Sequence, residues 1–96
     1  MILKSIEGNK VRLAHKKSNG KFKEVTVSTD KQGVAFIKRN IESITYDTTN
    51  EILRFRQNGT RRPLASVLAN DVYKKDVYRV TFGDGNKFNL TRSNLV

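Results

Sequence analysis

The chain has 96 residues, with 19 Lys and Arg against 9 Asp and Glu, a formal charge of +10 and an isoelectric point near 10.2. Cysteine is absent, which excludes disulfides, thiolate metal sites and a cysteine nucleophile. This length suits one domain spanning 1–96, and this charge calls for a polyanionic partner, with nucleic acid the default.

Lys4 and Glu7 interrupt the apolar start too early for a signal peptide. No run approaches the roughly 18 to 20 apolar residues of a membrane helix, so the expectation is a cytoplasmic or nucleoid-associated protein. Val, Ile, Thr, Phe and Tyr recur with period two between Gly, Asn and Asp, the pattern of an all-β chain. The first strand is Ile2–Ile6, followed by a turn at Glu7-Gly8-Asn9. Lys10–Lys17 and Lys21–Ser28 form a hairpin about Ser18-Asn19-Gly20, with Gly20 left-handed. That three-residue turn sets Leu13 against Val25 and Val11 against Val27, whereas a two-residue turn would set Leu13 against Thr26 and break the apolar face. It also brings His15 beside Lys23 and Lys17 beside Lys21, making a basic finger of Lys16, Lys17, Lys21 and Lys23. Phe22 falls on the face opposite Leu13 and Val25.

Asp30-Lys31-Gln32-Gly33 reads as a turn into a strand, Val34–Lys38. A helix-like turn at Arg39–Glu42, a strand over Ser43–Asp47 and a loop at Thr48–Asn50 follow. Leu53–Leu64 is a second hairpin with an Asn58-Gly59 turn signal. A two-residue turn sets Arg56 opposite Arg61, and a three-residue turn sets Arg54 opposite Arg62. Either register opposes like charges, which destabilises the pair unless the side chains splay into water or an anion lies between them. Over Ala65–Asp71 helix and strand signals compete. A helix there would be capped by Ser66, anchored by Val67 and Leu68, and closed at Asn70-Asp71. Last comes a hairpin about Gly83-Asp84-Gly85. It pairs Val80 with Phe88 and Tyr78 with Leu90, and leaves Arg79, Thr81, Lys87, Asn89 and Thr91 on a basic face. Beyond it, Asp76 faces Arg92.

Tyr78-Arg79-Val80-Thr81-Phe82-Gly83-Asp84-Gly85, followed by Arg92-Ser93-Asn94-Leu95, resembles the central hairpin of Tudor-like and SH3-like small barrels. The resemblance covers about twenty residues. It implies a small, strongly bent barrel built from β-hairpins, with at most one short helix near residues 65–71. Readers of methylated lysine in that family need an aromatic cage. This chain has no Trp, and Tyr78, Phe82 and Phe88 belong to the core pattern, leaving Tyr46 and Tyr73. Nucleic-acid binding, the other use of such barrels, fits the charge better.

Enzyme chemistry finds little footing. His15, the one histidine, sits in a lysine-rich finger with no carboxylate to orient it. No HExxH or paired His/Cys spacing calls for a metal or a cofactor, and the carboxylates are scattered. Gly83-Asp84-Gly85 lies between strands rather than before a helix, so turn chemistry accounts for it better than phosphate cradling. The reading is therefore a non-enzymatic protein that binds nucleic acid through phosphates, with duplex DNA ahead of RNA and low sequence selectivity. Arg54, Arg56, Arg61 and Arg62 form a clamp whose guanidinium forks suit phosphate oxygens. Lys16, Lys17, Lys21 and Lys23 supply a second contact, and Arg79 and Lys87 extend it. The alternative is a module that docks on an acidic protein or adds a strand to it.

Overall fold

The computed structural model describes residues Met1–Val96 as two sheets and two short helices around one core. The first sheet has the order β1 (Ile2–Glu7), β2 (Lys10–Lys16), β3 (Phe22–Thr29) and β7 (Asn89–Leu90); the second has the order β4 (Ile44–Asp47), β5 (Ile52–Gln57) and β6 (Thr60–Pro63). Neither closes on itself, so the chain is predominantly β but not a barrel. The β2–β3 hairpin has the expected register, with Val11 opposite Val27, Leu13 opposite Val25 and His15 opposite Lys23. Gly20 is left-handed at φ +83°, and the Lys17 N–H donates to the Lys21 carbonyl across the turn. Val11, Leu13 and Val27 are wholly buried, so the apolar face that fixed the register is the core face.

The first correction is at Val34–Lys38, expected as a strand. It lies in a helix, α1 (Lys31–Arg39). A run of Val, Ala, Phe and Ile fits both periods, and the helical one wins because Gly33 and Ile37, four apart, bury together on one face. Lys38 and Arg39 occupy the last turn, where the helix dipole favours cations. Asn40 closes it by donating from Nδ2 to the Phe36 carbonyl at 2.8 Å. Asp30 precedes the helix, but its carboxylate accepts from the Arg92 backbone N–H at 2.7 Å instead of capping it.

In the second sheet Asn58 and Gly59 both have positive φ, 51° and 78°, which a two-residue hairpin turn of this hand requires. Arg56 therefore stands opposite Arg61, Phe55 opposite Arg62 and Arg54 opposite Pro63. The competition after the hairpin resolves as helix. The helix α2 (Leu64–Val67) widens into a π-helical turn over Leu68–Val72. It starts after Pro63 rather than at Ser66, and Leu64, Val67, Leu68 and Ala69 are almost entirely buried.

The second correction concerns the last hairpin, which does not form. Tyr78 is fully exposed, and Leu90 pairs with Thr29 of β3, in parallel, rather than with Tyr78. The facing of Asp76 and Arg92 is likewise not realised as an ion pair. Residues 81–83 pair instead with residues 94–96. The Thr81 N–H donates to the Val96 carbonyl at 2.7 Å, the Val96 N–H to the Thr81 carbonyl at 3.0 Å and the Gly83 N–H to the Asn94 carbonyl at 2.8 Å. Side chains bind the segment between. Asp84 accepts from the Asn86 N–H and from Asn89 Nδ2, both at 2.8 Å, and Asn94 Oδ1 accepts from the Asp84 N–H. These contacts, led by the one from Asn89, hold the Asp84 carboxyl below its usual range. Asn and Asp offer the backbone this local alternative to a ladder. Upstream, Lys74 and Asp76 are both left-handed at φ 57°, which breaks the extended run before it could reach Tyr78.

One buried cluster joins these parts. Tyr73 Oη lies 2.7 Å from Thr29 Oγ1, and both hydroxyls lie 3.0 Å from the Leu90 carbonyl. Burial pushes the Tyr73 phenol up from its ordinary value of 10.0. Gly33 of α1 covers the cluster so closely that a Cβ there would fall 1.9 Å from Thr29 Oγ1 and 2.8 Å from Tyr73 Oη. Gly33→Ala is expected to cost about 1–3 kcal/mol in denaturant unfolding, with Thr29→Ala partly relieving it in the double variant. Additive losses would contradict the contact. Because its folded value is raised, Tyr73 contributes stability that is intact below pH 10 and lost as pH rises through that value. The native chain should therefore lose ground to Tyr73→Phe in melts above pH 10.

Candidate nucleic-acid interface

The inner face of β2 and β3 changes character along its length. Val11, Leu13, Val25 and Val27 pack into the core, and the next pair toward the turn is His15 and Lys23. Tyr46 of β4 lies beneath that pair. Its ring centroid is 5.5 Å from that of His15 and 5.1 Å from Lys23 Nζ, a cation–π distance. The core thus ends at Tyr46, and a cationic surface begins there. Tyr46 itself is paired with Leu53 in the second sheet, so it ties the finger to the arginine hairpin.

Three concavities share Tyr46 as a wall. The first is lined by His15, Lys16, Lys17, Ser18, Lys23 and Thr48. The second is lined by Asp47, Thr48, Arg54 and Arg61. The third is lined by Lys23, Glu51, Gly85, Asn86, Lys87 and Phe88. Thr48 belongs to the first two and Lys23 to the first and third, so they form one continuous surface fed by both sheets and the 83–88 segment.

The expected residues fall into three groups. Lys16, Lys17, Lys23, Arg61 and Lys87 line this surface, and Arg56 stands beside it opposite Arg61. None of these has a carboxylate partner. Arg54 and Arg62 are present but engaged: Arg54 Nε donates to Asp47 at 2.9 Å, and Arg62 donates to Asp71 at 3.0 Å. The register also sends Arg62 to the face opposite Arg56 and Arg61, so the four arginines are not one clamp. Lys21 is exposed at the finger tip and Arg79 in the irregular segment, and neither lines the surface. Sequence reading missed Tyr46 and Thr48 as members, because the surface is assembled by contact between sheets.

Asp47 organises the centre. It accepts from the Thr49 and Asn50 backbone N–H groups, from Asn50 Nδ2 and from Arg54 Nε. Asn50 and then Arg54 hold its carboxyl far below the ordinary 3.8. The same loop meets the 83–88 segment through Lys87 Nζ, which donates to the Asn50 carbonyl at 3.0 Å. One polar atom nearby has no partner, the buried Thr45 hydroxyl, and nothing in its surroundings explains it.

Compared with protein-family models, curated proteins and solved structures, the chain matches none. No helix is long and apolar enough to cross a membrane.

Because the Asp47 value is depressed on folding, its stabilisation is present above pH 3.8 and lost as pH falls toward the folded value. Asp47→Ala is expected to lower the melting temperature most at neutral pH, with the gap to the native chain closing below about pH 4. An equal gap at pH 2 and pH 7 would contradict this.

Proposed function

We propose that the protein binds nucleic acid, chiefly duplex, by neutralising backbone phosphates along the surface that Tyr46 joins. The observation that carries this reading is an excess of unpaired cations: Lys16, Lys17, Lys23, Arg61 and Lys87 line that surface from separate elements without a carboxylate partner, and of its lining cations only Arg54 is held, by Asp47. Leaving Lys and Arg of one sign clustered is costly in self-repulsion, and a polyanion relieves it. Arg56 and Arg61 supply planar forks for phosphate oxygens, and the lysines supply mobile point charges.

Duplex rather than single-stranded polymer is favoured by the aromatic rings. A base-stacking surface needs open ring faces interleaved with cations. Here Phe36 and Phe55 pack on one another at 5.2 Å, Lys23 and His15 lie against Tyr46, and Tyr73 is buried. Phe88 on the surface is half-buried, and the exposed Tyr78 does not line it. Phe22 is exposed but belongs to the opposite face of the first sheet, beside Ile2, Lys4 and Arg12. With no element shaped to enter a major groove, sequence selectivity is low.

Fluorescence anisotropy against duplex DNA, single-stranded DNA and duplex RNA across a salt series tests the reading. On B-DNA, log K falls with log salt by about 0.9 for each phosphate neutralised, so the free cations allow a slope no steeper than about −5. Arg56→Gln with Arg61→Gln should make the slope shallower by about one to two, and Lys23→Gln by about one. Arg62→Gln, on the other face, should leave it nearly unchanged. Absence of binding to all three polymers at low salt would sink the proposal.

A further inference from the structure

Away from the cationic surface, a pocket of about 150 Å³ lies between the second sheet, α2 and the C-terminal segment. Ile52, Leu53, Leu64, Val80, Phe82 and Leu90 give it apolar walls. A space of this volume accepts a benzene-sized guest. Two of its lining residues are hydrogen-bond donors. Ser66 makes no side-chain hydrogen bond within the protein, and Lys87, exposed at the rim, gives one ammonium proton to Asn50 and keeps two. No carboxylate lines it.

We infer that this pocket is a binding site for a small organic acid, a compact aromatic or branched aliphatic body carrying one carboxylate. The walls set the body: a group much larger than a six-membered ring does not fit the volume. The donors set the head. A carboxylate is drawn by the Lys87 ammonium at the rim and offers an acceptor to a lining hydroxyl, which a ligand lacking an acceptor does not. The rest of the lining is apolar apart from backbone groups, so a second charged group on the ligand would have no partner. The site does not depend on the polyanion reading, since its walls come from residues outside that surface and only Lys87 is common to both.

The test is a methyl and amide NMR titration of the intact chain with sodium benzoate at constant ionic strength. Acetate serves as the headgroup control and benzyl alcohol as the neutral isostere. Saturable shifts at the methyls of Ile52, Leu53, Leu64, Val80 and Leu90 are expected with benzoate and absent with acetate. Lys87→Met keeps the apolar walls and removes the charge. It should weaken benzoate about tenfold, the loss expected for one charge-assisted bond, and leave benzyl alcohol unchanged. Val80→Phe, which fills the pocket, should abolish the wall shifts. Three results would overturn the inference: shifts confined to surface lysines and shared with acetate, no saturable shift at the wall methyls, or benzoate affinity indifferent to Lys87→Met.

Discussion

The hydroxyl cluster of Thr29 and Tyr73 on the Leu90 carbonyl is the constraint from which the rest of the architecture follows. The three oxygens share two protons, so one consistent arrangement has Thr29 donating to Tyr73 and Tyr73 donating to Leu90. Each oxygen belongs to a different element: the end of β3, the residue after the π-helical turn, and the two-residue strand β7. A two-residue parallel pair is too short to hold a segment by its own ladder. The buried side-chain bonds secure it, in a low-dielectric setting where an unmade bond costs more than a made one gains. Gly33 is the geometric condition for this, because only a residue without Cβ lets α1 lie over the cluster.

From that anchor follows the position of the cationic surface. With β7 fixed against β3, the 83–88 segment lies near the β4–β5 loop, and Lys87 reaches the Asn50 carbonyl. Asp47 fixes the same loop from the other side. Tyr46, at the end of the core, then sees lysines from the finger, an arginine from the second hairpin and Lys87. Asp47 satisfies Arg54 within the surface, and carboxylates elsewhere satisfy Arg12 and Arg62. Five unpaired cations thus meet on one surface where a single arginine is paired, a more local constraint on function than the net charge alone.

The features legible in the sequence were those that local chemistry decides. The β2–β3 register followed from keeping Leu13, Val25, Val11 and Val27 on one face, and the finger followed from that register. Asn58-Gly59 carried its turn type, although only the backbone angles chose between the two arginine pairings. The misreadings came where two local readings were equally good and a distant contact chose. Val34–Ile37 became helix with Gly33 packed on Tyr73, a residue forty positions on and invisible to any short window. The last hairpin failed because residues 81–83 paired with residues 94–96, Leu90 was claimed by Thr29, and Asp84, Asn86, Asn89 and Asn94 bonded through side chains in the segment between. The density of Asn and Asp there was the available signal, outweighed by the alternation of Tyr78, Val80 and Phe82. The role of Tyr46 was not legible, since a tyrosine alternating in a strand declares only which face it is on.

The span of the Thr29 cluster also governs the order in which the molecule comes together. Its contacts join residues 44 and 61 positions apart, whereas the two well-formed hairpins and α1 close over short stretches of chain. Short closures come early and long ones late, because chain entropy must be surrendered before a remote contact returns anything. The finger and the arginine hairpin therefore close at small entropic cost, and the docking of the C-terminal segment on β3 is the costly closure. Lys87 belongs to that segment, so its place on the surface depends on the remote docking of β7, whereas the finger and hairpin cations hold theirs through local turns.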